Sequence, residues 1–92
     1  MKKFLTSGYK YLNIVADGTY VVKAKPGGLH SITVNTTAAG AITVYDNTSG
    51  TGTLIATLPS SAVVGTYFYD LEFATGLTIV TAADSDITVS YY

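Results

Sequence analysis

Leu29-His30-Ser31-Ile32-Thr33-Val34-Asn35-Thr36, followed by Thr37-Ala38-Ala39-Gly40 and then Ala41-Ile42-Thr43-Val44-Tyr45-Asp46, is the stretch whose reading decides the fold. In an extended chain Ile32 and Val34 fall on one face, with Ser31, Thr33 and Asn35 on the other. Four small residues turn the chain, and Ile42 and Val44 resume the alternation. A period of two carried by β-branched residues and interrupted by glycine is the pattern of half-buried strands joined by a turn.

Toward the C-terminus, Asn47 to Gly52 is a polar, glycine-rich loop, and Leu54, Ala56 and Leu58 alternate until Pro59. After a connection over Ser60 to Gly65, Thr66 to Ala74 forms the longest aromatic strand. Tyr67, Tyr69, Leu71 and Phe73 share one face, and Phe68, Asp70 and Glu72 share the other, which places the acids toward water. Leu77 and Ile79 begin a seventh strand, and Ile87, Val89 and Tyr91 an eighth after Asp84-Ser85-Asp86. Toward the N-terminus, Pro26-Gly27-Gly28 ends a strand over Thr19 to Lys25, and Asp17-Gly18 turns the chain from a first strand over Tyr9 to Val15.

Eight short strands at spacings of about ten residues predict an all-β, antiparallel β-sandwich. A jelly roll is the first choice of topology and an immunoglobulin-like sandwich the second. Residues 9–92 form the single domain, preceded by an N-terminal arm over residues 1–8. There is also a weak internal echo. Gly28-Leu29, Ile32-Thr33-Val34, Thr37-Ala38-Ala39 and Ile42-Thr43-Val44-Tyr45 are matched by Gly76-Leu77, Ile79-Val80-Thr81, Ala82-Ala83 and Ile87-Thr88-Val89 with Tyr91. Two strand pairs written in a limited alphabet also resemble each other by chance, so duplication and coincidence both remain open.

Fifteen threonines and eight tyrosines stand beside no cysteine, tryptophan or arginine in 92 residues. Without cysteine, neither a disulfide nor a thiolate metal site is possible. Residues 1–25 hold all five lysines against Asp17, while residues 26–92 hold five acids and no lysine. A surface so poor in bases cannot neutralise phosphates, which argues against nucleic acid as a partner. Lys2 and Lys3 open the chain as a signal peptide would, but Phe4 and Leu5 are the only large apolar residues before Thr6, so no secretory signal is expected. No apolar run reaches the roughly 18 residues of a membrane helix.

Groups that could carry chemistry are few. His30 has Ser31 or Asp84 as conceivable partners, yet no nucleophile elbow surrounds any serine, and it reads as an ordinary strand-edge histidine. Asp70 and Glu72 alternate on one face like a glycosidase pair, but such acids are ordinarily a solvated strand face. Asp84-Ser85-Asp86 and Asp46-Asn47 could offer oxygen ligands to calcium, although turns favour these residues anyway. Asn35-Thr36-Thr37 and Asn47-Thr48-Ser49 match the glycosylation pattern, which means little without secretion. The expectation is therefore a non-enzyme with no cofactor and no metal.

Tyr67, Tyr69, Tyr91 and Tyr92 are the candidate interface residues, because tyrosine supplies rigid amphipathic area to protein contacts and to sugar faces. Strand borders point the same way. Residues 27–92 offer only Pro59 as a guard against edge pairing, so the edges should be closed by the fold or covered by another subunit.

Three phrases carry a resemblance: Gly28 to Thr36, Ile42-Thr43-Val44-Tyr45-Asp46-Asn47-Thr48-Ser49-Gly50-Thr51-Gly52-Thr53-Leu54-Ile55, and Phe73-Ala74-Thr75-Gly76-Leu77-Thr78-Ile79-Val80-Thr81. Over about residues 20–92 the chain resembles the small β-sandwich capsid decoration, cement or head-fibre proteins of tailed bacteriophages. That resemblance implies a virion structural protein on the capsid exterior, soluble in the host cytoplasm before assembly, often a homotrimer, with the major capsid protein as its partner. Lys2, Lys3, Phe4 and Leu5 would then be a capsid-anchoring arm, steered by charge and docked by two apolar side chains. A carbohydrate-binding module that contacts a host glycan, and a tail-associated virion component, are the alternatives.

Overall fold

The computed structural model describes residues 8–92, and these are all-β. Eight strands follow in order: β1 (Lys10–Ile14), β2 (Gly18–Lys23), β3 (Gly27–Val34), β4 (Ile42–Asp46), β5 (Thr53–Leu58), β6 (Gly65–Phe73), β7 (Leu77–Thr81) and β8 (Ile87–Tyr91). They form two antiparallel four-stranded sheets packed as a sandwich, sheet A in the order β1-β8-β3-β6 and sheet B in the order β2-β7-β4-β5. The chain changes sheet at every connection except the β4–β5 hairpin. Lys2, Lys3, Phe4 and Leu5 lie outside the described residues.

Antiparallel pairing joins β1 to β8, β2 to β7, β3 to β6 and β4 to β5, a fully nested set. The core lies between the sheets, where Ile14, Leu29, Ile32, Val34, Phe73, Ile87 and Val89 of sheet A meet Ile42, Val44, Leu58, Leu77 and Ile79 of sheet B. Each of these is buried because its strand shows one face to the partner sheet.

Moving every strand four places along the chain maps sheet A onto sheet B, and the residues follow the strands. The inner row Leu12–Val89–Ile32–Tyr67 corresponds to Ala56–Val44–Ile79–Tyr20, and Ile14–Ile87–Val34–Gly65 to Leu58–Ile42–Thr81–Gly18. Gly18 and Gly65 hold φ of 145° and 150°, a region that L side chains rarely adopt. Two residues on, Tyr20 donates from its hydroxyl to the Ala16 carbonyl at 2.9 Å and Tyr67 to the Val63 carbonyl at 2.8 Å. The echo in the sequence is thus one part of a repeat that runs through all eight strands.

The open edges are not bare. The registers shift at Val22 in β2, at Ile55 in β5 and at Tyr69-Asp70 in β6, so three of the four edge strands carry a bulge, and β1 carries Lys10 at its end. A bulge twists an edge away from pairing, a device that stands beside proline and charge as edge protection. They also correct the expected faces. Leu54 is 56% exposed and Ile55 packs against the core, because the β5 bulge reverses the parity that would have kept Leu54 with Leu58.

Turns are held by carboxylates. Asp46 accepts from the N–H of Ala74 and of Thr75, both at 2.8 Å, and of Gly76 at 3.4 Å, tying the end of β4 to the β6–β7 turn. Asp84 accepts from the Asp17 N–H at 3.0 Å. Among the described residues no group of three or more His, Asp or Glu side chains gathers as a metal site would require.

The donors of Ala74 and Thr75 hold the Asp46 carboxyl below the usual carboxylate range. Because its folded value is depressed, its contribution is complete above the unfolded value of about 3.9 and is lost as the pH falls through the folded one. Urea unfolding followed by circular dichroism should therefore show stability falling as the pH drops below about 4. Asp46→Asn should be less stable than the parent at pH 7 and lose less stability on acidification.

Candidate functional site

Sheet A turns one face to the core and the other to solvent, and the outer face is ordered in rows. Tyr11, Ser90, Ser31 and Phe68 lie side by side across β1, β8, β3 and β6, with Asn13, Thr88, Thr33 and Thr66 in the next outer row. Tyr11 is 74% exposed and Phe68 66%, at opposite ends of a row that spans about 14 Å over three inter-strand gaps.

One end of this face is aromatic. Between Leu29 and Ser31, β3 has one extra residue, His30, relative to β8, while β6 has two residues, Tyr69 and Asp70, over the same interval. The added length turns His30 and Asp70 outward, where the His30 Nδ1–H donates to Asp70 Oδ1 at 2.5 Å. Tyr9 stacks flat on the imidazole with centroids 4.1 Å apart and planes 2° apart, and Phe68 meets it edge-on at 5.5 Å. Tyr92 lies over Gly28, where a Cβ would come within 2.2 Å of its ring, and tilts toward Tyr9 at 5.9 Å. A shallow pocket beside Tyr92 is lined by Pro26, Gly27, Glu72 and Phe73.

The other end is polar. Asn13 Nδ2 donates to Asp86 Oδ1 at 2.9 Å and to the Ile87 carbonyl at 2.8 Å, and lies 3.4 Å from Thr88 Oγ1. Asn35 Nδ2 donates to Asp86 Oδ1 at 3.0 Å and to Thr88 Oγ1 at 3.1 Å. The two amides hold the Asp86 carboxyl below its ordinary value. Thr33 and Thr66 pair their hydroxyls at 3.0 Å in the same row.

These placements redistribute the residues that the sequence singles out. Tyr67, Tyr69 and Tyr91 lie half-buried against the core on the inner side, so they are not an outward patch, because their parity follows Phe73 and Val89. Burial and the neighbouring Tyr67 raise the Tyr69 hydroxyl above its ordinary value. Of the four, only Tyr92 takes part in the outer aromatic group. His30 pairs with Asp70, not with Ser31 or Asp84. Asp46, Asp84 and Asp86, considered as calcium ligands, accept backbone or amide hydrogens instead. Tyr9, Tyr11 and Asn13 are not among the residues the sequence singles out, although Leu12 and Ile14 set the parity of β1 and so place Tyr11 and Asn13 on the opposite face.

Comparison of the chain with family models, with curated proteins and with solved structures finds no match.

Asp70 has φ of +48°, and aspartate tolerates this left-handed region better than most residues. Urea titration should rank variants by backbone first. Asp70→Asn should stay near the parent, whereas Asp70→Ala should lose about 1–2 kcal/mol and Asp70→Val at least as much.

Proposed function

We propose that this chain is a non-enzymatic structural module that attaches to the outside of a large protein shell as a capsid decoration, cement or head-fibre-base protein. Its partner in this reading is the major capsid protein and its place the virion exterior. The nested strand pairs, first with last and inward in turn, are how a jelly roll is wrapped, and we read the sandwich in that sense.

The observation that carries the proposal is the aromatic end of sheet A, where Phe68 is 66% and Tyr9 43% exposed on a flat face around an imidazole fixed by Asp70. Rigid aromatic side chains are enriched where proteins dock, and a handful of them dominates the energy of an interface. A face held by β-strands presents them with little conformational entropy left to lose. The bulged edges also favour docking through a face over pairing through an edge. Multiple copies on a symmetric shell, each making a modest contact, would reinforce the lattice, and grouping into a homotrimer would raise the effective concentration of each site.

Mass spectrometry of purified particles separated into heads and tails checks the location. The protein should appear with heads, at a copy number in a fixed ratio to the shell subunit; recovery with tails alone would reject the assignment. Phe68→Glu should lower occupancy on heads by about tenfold or more without unfolding the domain. Light scattering of the free protein tests the trimer, and a monomer mass at the concentration used for attachment would remove that part of the proposal.

A further inference from the structure

The internal repeat separates what the fold requires from what has been added to it. At the polar end of sheet A, the Asn35 N–H donates to the Asp86 carbonyl at 2.8 Å; at the equivalent place in sheet B, the Ala82 N–H donates to the Ala41 carbonyl at 3.0 Å. The backbone bond is present in both halves. The side chains differ, since alanines stand in sheet B where Asn35 and Asp86 stand in sheet A, and Thr57 stands where Asn13 does. The same strand arrangement is therefore built without the amide–carboxylate network, and the network in sheet A is available for another task.

Its hydrogen bonding is directional. Both amide groups point their N–H donors inward, to Asp86 Oδ1, Thr88 Oγ1 and the Ile87 carbonyl. Among the described residues nothing donates to Asn13 Oδ1, Asn35 Oδ1 or Asp86 Oδ2. Thr88 Oγ1 accepts from Asn35, which leaves its own proton free to be donated. Three oriented acceptors and one donor thus stand at the edge of solvent. Tyr11, 74% exposed, lies two residues from Asn13 on the same strand face, about 7 Å along β1.

The geometry points to a saccharide-binding site at the polar end of sheet A, with the Tyr11 ring as a platform for the C–H face of a neutral sugar and with Asn13, Asn35 and Asp86 accepting from its hydroxyls. Such a ligand presents many O–H donors and apolar C–H surfaces together, which matches fixed acceptors beside one exposed ring. An anion would meet a carboxylate and three oxygen atoms with no base among them. A calcium ion would find one carboxylate, where its sites ordinarily draw on several among six to eight oxygen ligands. Because the amides are already locked, binding orders few further groups. The site is separate from the aromatic end used for shell docking, and it goes beyond that proposal.

The test is a two-dimensional NMR titration of the full chain at neutral pH with the methyl glycosides of glucose, mannose, galactose and N-acetylglucosamine, and with soluble dextran. At least one should shift the side-chain amide signals of Asn13 and Asn35 and the Thr88 backbone signal, saturating with a Kd of about 1 mM. Tyr11→Ala, which leaves the amide network intact, should weaken binding by about tenfold or more while the spectrum stays dispersed. Phe68→Glu should leave the sugar response unchanged, so failure of shell docking and failure of the sugar site are read separately. Absence of any shift with all of these probes overturns the proposal. So does a response to calcium chloride at Asp86 with none to sugars, or a sugar response elsewhere on the surface that survives Tyr11→Ala.

Discussion

Everything in this domain depends on one geometric constraint: each sheet has a single face on which to bury apolar surface, and Ile, Val and Leu supply most of what fills it. No cysteine is present to restrain the unfolded chain. The layer formed by Ile14, Ile32, Val34, Ile87 and Val89 against Ile42, Val44, Leu77 and Ile79 carries the stability, each side chain contributing about 1.5–3 kcal/mol when fully buried. A slip of one residue in any strand would turn its contribution out to water. Register is thus the quantity on which folding acts most strongly.

The bulges follow from that constraint. Leu29 and Ile32 are both fully buried although two residues, His30 and Ser31, lie between them, which strict alternation forbids. The extra residue at His30 repairs the parity, and the longer insertion in β6 keeps that strand in step. In sheet B the equivalent strand β7 passes from Leu77 to Thr78 with no insertion, and β2 passes from Val21 to Lys23 with one residue between them. Sheet A is therefore longer by one residue in each of the two strands, and this added length carries His30 and Asp70 to its surface. Packing inside and the aromatic group outside share one cause.

How much of this was legible in the sequence follows from the range of the interactions. Strand existence is local, set by alternation and turn residues, and all eight strands appear close to where the pattern places them. The faces of β6 were legible because nine residues alternate without a break in exposure. The β5 faces were not, because a bulge at Ile55 depends on a partner strand that the local pattern does not reveal. The His30–Asp70 pair joins residues 40 apart in the chain, and Asn13 reaches Asp86 across 73. Contacts of that kind are decided by which strands become neighbours. The echo between two segments was visible, yet the equivalence of Gly18-Thr19-Tyr20 with Gly65-Thr66-Tyr67 needed the pairing to give it meaning.

The repeat also bears on where function can reside. Two halves built to the same pairing scheme make sheets whose outer faces start from the same plan: Asn13–Thr88–Thr33–Thr66 in one corresponds to Thr57–Thr43–Val80–Thr19 in the other. Hydroxyls common to both faces suit strand propensity and solvation, and so need no further role. Departures from the plan are different in kind. Phe68 stands where sheet B has Val21, the Asn13, Asn35 and Asp86 network stands where sheet B has Thr57, Ala82 and Ala41, and His30 has no counterpart in β7. The folding of sheet B, with the same topology and without these residues, is an internal control within one molecule. It marks the outer face of sheet A, and not the edges or the core, as the place where the two halves depart from a common plan.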